Sequence, residues 1–209
     1  MIKVFFLIFE PSVAWEKIAQ ARRGVVFITV MQLLPLLLLG TAAESWGLWR
    51  HGKWQPRFEK FKEFLPSEII TYEVVQFFLL LAVVFVSALL VFKISQTFHG
   101  RQKFLPAFTA VAYGFTPMFL VRLLDASATM HPATTWGIGI TLTIWVLYQG
   151  VPRVMQPDPT HAFGVYLSTM FVVVLTSGLA RLITAMYLLG YMDFHHSWLS
   201  RQVANLIGQ

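Results

Sequence analysis

Long apolar stretches alternate along this chain with short polar or turn-rich separators, and the pattern predicts five membrane spans, at residues 24–43, 69–92, 105–124, 135–151 and 163–189. About 20 residues rising 1.5 Å each cover the roughly 30 Å hydrocarbon core of a bilayer. The first run is apolar apart from Gln32 and contains Pro35, which is expected to kink it; Trp46, Trp49 and Trp54 follow in the position of an aromatic belt. The fourth run is short, as a span partly buried by its neighbours can be. Three further segments are amphipathic. In 11–23, Trp15, Ile18 and Ala19 share a side away from Glu16, Lys17 and Gln20. In 54–65, Phe58, Phe61, Phe64 and Leu65 recur at helical spacing among charges, and in 193–209 Phe194, Trp198, Val203 and Leu206 fall together. Each predicts a helix lying along a membrane surface. The expected fold is therefore an all-α integral membrane protein, one membrane domain over 1–209, with five transmembrane helices and amphipathic interfacial helices at the N-terminus, in the first loop and at the C-terminus.

Composition narrows the class further. Of 209 residues, 56% are apolar and only 12% charged, about half the charged share of a soluble protein. The short apolar run 4–9 is cut by Glu10 and Pro11 with no small-residue cleavage site after it, so it does not read as a signal peptide. No soluble domain, low-complexity tract or internal repeat stands out, which leaves inverted-repeat transporter symmetry without support. The net charge of +6 comes from basic residues beside the spans and forms no stripe, which argues against nucleic-acid binding. With no cysteine there is no disulfide, thiolate metal site or cysteine nucleophile. Counting Lys and Arg on alternate sides gives eight against seven, a lean toward a cytoplasmic N-terminus and, after five crossings, an external C-terminus.

Candidate chemistry is confined to ionisable residues within or at the edges of spans, where charge is costly and turns toward protein or water. Glu73 lies near the outer start of the second span with Gln76 a turn below it; Arg122 and Asp125 end the third; Arg181 is roughly 27 Å along the fifth. Four ionisable residues from three spans thus fall at similar depth. Two readings stay open: a polar pocket or ion-coupled site, and structural pairing with the arginines reaching for headgroups. Either way, Arg181 is expected to pair with Glu73 or Asp125 or to snorkel. The six histidines are dispersed near membrane surfaces, and adjacent His195 and His196 diverge by roughly 100° on a helix, so no metal site is expected. Gly137 and Gly139 sit in an apolar span without a nucleotide-binding context, and no G-x-S-x-G or HExxH motif occurs, so neither cofactor nor enzyme activity is expected.

At the third span the chain resembles the Yip-domain family, polytopic proteins named in eukaryotes for interacting with Ypt/Rab GTPases and widespread as short prokaryotic members. The resemblance lies in Gly100, then Ala110, Val111, Ala112, Tyr113, Gly114, Phe115, Thr116 and Pro117, then Leu147, Tyr148, Gln149, Gly150, Val151 and Pro152 closing the fourth span, with Ala162 and Phe163 opening the fifth. The opening segment from Phe9 to Ile18 is also similar. The resemblance implies five spans with a cytoplasmic N-terminus and an external C-terminus, in the manner of a short bacterial inner-membrane member. The long N-terminal region and the Asp-Leu-Tyr-Gly-Pro motif of Golgi relatives are missing, so GTPase binding is not implied. Nor are catalytic residues: Tyr113, Gly114, Pro117, Tyr148 and Gly150, with Pro35, read as determinants of helix packing and bending. The leading expectation is a non-enzymatic protein that organises or supports a membrane-bound assembly, with the bilayer, other membrane proteins or a second copy as partners. The alternative is a small permease or lipid-handling protein using the polar level near the outer leaflet.

Overall fold

The computed structural model describes residues 7–98, 103–127 and 129–191. Five helices within it are long and apolar enough to cross a membrane. We label the N-terminal helix Pro11–Ala21 α1 and the spans α2 (Val25–His51), α3 (Pro66–Thr97), α4 (Phe104–Ala126), α5 (Pro132–Met155) and α6 (Ala162–Leu188). The segment 193–209, expected to be an amphipathic helix, lies outside the described residues.

At the two prolines expected to bend spans, the helices depart from regular α geometry by different means. A proline inside a helix lacks a donor and crowds the carbonyl four residues back. Ahead of Pro35 the backbone relaxes into a π-helical turn, Thr29–Leu33, in which the Leu34 amide donates to the Thr29 carbonyl five residues back. Pro117 instead splits α4 into Phe104–Gly114 and Thr116–Val121, with Phe115 at the joint and a 3-10 turn, Arg122–Ala126, at its end. That bent helix is the centre of the bundle: every residue from Ala107 to Pro117 is buried. Gly114 carries the helix against Leu147 of α5, whose side chain occupies the space a Cβ would need.

Two expectations about the elements change. The first span does not stop at residue 43; α2 continues to His51, because Glu44 is neutralised within the bundle and does not mark a membrane exit. The loop segment 54–65 is not a helix. It is a β-hairpin, β1 (Lys53–Gln55) antiparallel to β2 (Lys60–Lys62), with Trp54 opposite Phe61 and a 3-10 turn, Pro56–Phe58, between the strands. The phenylalanine spacing fits a period of 3.6, but tertiary bonds impose a period of two. Lys53 and Gln55 point inward, Lys53 Nζ donating to the Ser127 carbonyl at 2.9 Å and Gln55 Nε2 to the Leu188 carbonyl at 3.2 Å. Gly52 admits the hairpin: its φ is +66°, and a Cβ there would strike the Lys62 carbonyl.

α1 is keyed into the bundle as well as placed at its surface. Trp15 is fully buried, donates from Nε1 to the Val146 carbonyl at 2.9 Å, and meets Tyr113 edge-on at 6.3 Å between ring centres. Its indole fills the notch left by Gly150. Tyr148, also expected to determine helix packing, is instead 56% exposed and meets Tyr166 of α6 at the bundle surface, 5.3 Å between ring centres. A single helical step along α5 accounts for this, since buried Leu147 and exposed Tyr148 lie about 100° apart on the same turn.

Candidate functional site

The end of the bundle remote from α1 holds a network of buried charges built from all five spans. Its hub is Glu44 of α2, 1% exposed. Glu44 Oε2 accepts from Arg122 Nη2 at 2.9 Å, Arg122 Nε at 3.2 Å and Gln76 Nε2 at 2.7 Å, while Oε1 accepts from the Tyr72 hydroxyl at 3.0 Å. Arg122 Nη2 also bonds Glu73 Oε2 at 3.2 Å. Helical geometry makes this compact: Gln76 lies four residues after Tyr72 and three after Glu73 on α3, the spacings at which helical side chains are neighbours.

The second half joins α4, α5 and α6. Arg181 Nη2 donates to Asp125 Oδ1 at 2.6 Å, and its Nε donates to the Pro132 carbonyl at 3.0 Å. Thr135 Oγ1 lies 2.6 Å from Asp125 Oδ1 and 2.7 Å from Arg181 Nη2, so its hydroxyl donates to the carboxylate and accepts from the guanidinium. From outside the spans, Lys53 closes the network over the Asp125 and Ser127 carbonyls at 3.4 and 2.9 Å. Burial pushes the Lys53 ammonium below the ordinary lysine range, against the opposing pull of Asp125 and Glu44.

All five polar residues singled out in the sequence thus meet here: Arg181 pairs with Asp125, Arg122 with Glu73, and Gln76 donates to Glu44. The hub escapes the sequence reading, because Glu44 follows the apolar run that by itself is long enough for the first span. Trp46 and Trp49 beyond it are the available signal, since a belt residue past a carboxylate puts that carboxylate inside the membrane-spanning helix. Tyr72 and Thr135 escape it for a simpler reason: uncharged polar residues near helix ends do not stand out in a sequence.

Beside the network lies a cavity of about 40 Å³ whose lining includes Gln76, Arg122, Trp136, Ser177 and Arg181. Gln76 Oε1 and Arg122 Nη1, like Glu73 Oε1 in the network itself, have no protein partner. The volume suits a water molecule accepting from one and donating to the other, and is far below the few hundred Å³ of a small-molecule site.

Five apolar spans, four joined by internal ion pairs and the fifth, α5, by hydrogen bonds of Thr135 and Pro132, define a polytopic α-helical membrane protein. A model of the Yip1 domain matches residues 5–182, and the chain belongs to the Yip1-domain family. No curated protein and no solved structure matches it.

Proposed function

We propose that this protein is a non-enzymatic member of its family that supports a membrane-bound assembly through its spans. In this reading it resides in a bacterial inner membrane with the N-terminus cytoplasmic and the C-terminus external. The observation that carries the proposal is the closure of the charge network. Its carboxylates are met by guanidinium groups of the same chain, and the adjoining cavity holds about 40 Å³. Intramembrane charges that serve a permease need a water-filled approach and room for a solute; these hold helices together. The polar level near the outer leaflet is accordingly read as structural, and the small permease or lipid-handling alternative as the weaker one.

One surface open to partners is on α6, where Phe163, Leu167, Phe171, Leu175, Leu179 and Leu182 form an exposed apolar stripe along the whole helix. A photoreactive amino acid placed at Phe171 or Leu179 in living membranes tests the proposal. Discrete protein adducts, absent when the same group is placed at buried Val173, are expected; adducts to lipid alone would overturn it.

A further inference from the structure

The opposite end of the bundle carries a second feature that the charge network does not explain. An open cleft of about 560 Å³ lies where α1 ends, α4 begins and α5 ends. Arg22 and Arg23, Lys103, and Arg153 line it, with Asp158 as the carboxylate among its described lining residues. Asp158 Oδ1 already accepts from the Thr160 amide and hydroxyl at 3.1 and 2.8 Å. None of the ion pairs among the described residues involves any of the four cations. Arg153 is held in place by neutral acceptors, the Gln149 carbonyl and Oε1, both at 2.8 Å, so its charge is positioned and not cancelled.

The backbone contributes to the same space. Arg22 and Gln156, two non-glycine residues in the left-handed region at φ 40° and 42°, terminate α1 and α5 at the cleft. α4 opens into it without a side-chain cap, leaving first-turn amides as donors. The apolar lining comprises Ile18 of α1 with Leu105 and Pro106 of α4 and Val154 of α5, the last three in membrane-spanning helices. Cations above an apolar floor, at the level where α4 enters and α5 leaves the bilayer beside the end of α1, match the two halves of a phospholipid, a charged headgroup on acyl chains.

We infer that this cleft is a binding site for an anionic phospholipid, its phosphate held among Arg22, Arg23, Lys103 and Arg153 and its acyl chains running along the first turns of α4. The volume lies within the range of small-ligand sites. The inference is independent of which assembly the protein supports.

Native mass spectrometry of the full chain, released from mild detergent with phosphatidylglycerol or phosphatidylcholine of the same acyl chains, tests it. Wild type should retain phosphatidylglycerol in preference to phosphatidylcholine. The double variant Arg23→Gln/Lys103→Gln, at two exposed positions, should bind phosphatidylglycerol roughly tenfold more weakly. Arg50→Gln/Lys60→Gln, which removes the same charge from the other end of the molecule, should leave binding unchanged. Excess inorganic phosphate should not displace the lipid. Equal retention of both lipids by wild type, equal loss in both double variants, or full displacement by inorganic phosphate would overturn the inference. So would a fall in thermal stability without loss of binding, which would make the cations partners of helix C-termini only. If the double variant does not fold, Lys103→Gln alone carries the comparison.

Discussion

At the scale of single residues, Glu44 decides the most. One carboxylate with four donors on it converts what would be a membrane-insertion liability into the point where α2, α3 and α4 meet. Replacing it by an apolar side chain leaves Arg122 buried with Glu73 as its remaining charged partner, and removing one member of a buried pair costs about 3–5 kcal/mol. Glu44→Leu should therefore lower the detergent melting temperature sharply, by more than Arg50→Leu at an exposed position. Arg181 and Asp125 share a second pairing, so the double replacement Arg181→Met/Asp125→Asn should lose less stability than the sum of its singles, by about 0.5–3 kcal/mol. A thermal-melt double-mutant cycle measures this; strict additivity would contradict the pairing. Lys53 adds a pH signature. Its folded pKa lies below its ordinary value of 10.5, so between the two the unfolded chain binds more protons and stability rises with pH. The burial cost of the ammonium is fully present below the folded pKa and is relieved above it. Wild type should accordingly gain on Lys53→Met as pH is raised from neutral toward 10.5 in thermal unfolding.

At the scale of elements, the N-terminal helix and the hairpin are held by notches and carbonyls that neighbouring spans provide. α1 docks because Trp15 fits where Gly150 has no side chain. Gly150→Ala puts a methyl group into the indole, an overpacking that costs about 1–3 kcal/mol, and Trp15→Ala should cost about 3–5 kcal/mol. Combined, the two should lose less than their sum, because the new methyl group then meets an emptied space. Protease sensitivity of the Pro11–Ala21 segment reads the undocking directly: each single variant should be cut faster than wild type. The hairpin teaches the complementary point. Aromatics three residues apart fit one face of a helix, yet here they cap a bundle whose helix ends offer free carbonyls, and alternate residues of an extended strand reach those carbonyls.

At the scale of the whole molecule, the chain has one end where buried carboxylates are met by its own guanidinium groups and another where a basic cleft stands open. The five spans should resist carbonate extraction of membranes, since roughly 100 or more apolar-span residues cannot be returned to water. The proposed orientation predicts that a reporter active only outside the cytoplasm, fused after Gln209, is active. A stable but inactive fusion would place both ends on one side and remove a crossing from the count.

The division of labour between sequence and tertiary structure follows from the range of the forces involved. Five spans, the helix irregularities at Pro35 and Pro117, and the shared level of Glu73, Arg122, Asp125 and Arg181 are all readable along the chain. Hydrophobic length and proline chemistry act locally, and helical rise converts residue number into depth. What the chain alone does not settle is partner choice. Arg181 meets Asp125 and leaves Glu73 to Arg122; Glu44 enters the network only because α2 runs on past it; and Lys53 and Gln55 become strand residues because carbonyls of α4 and α6, far away in sequence, stand ready to accept. Each of those outcomes depends on which helix faces become neighbours, and at a given depth several donors and acceptors compete on equal local terms until packing brings one pair within hydrogen-bond distance.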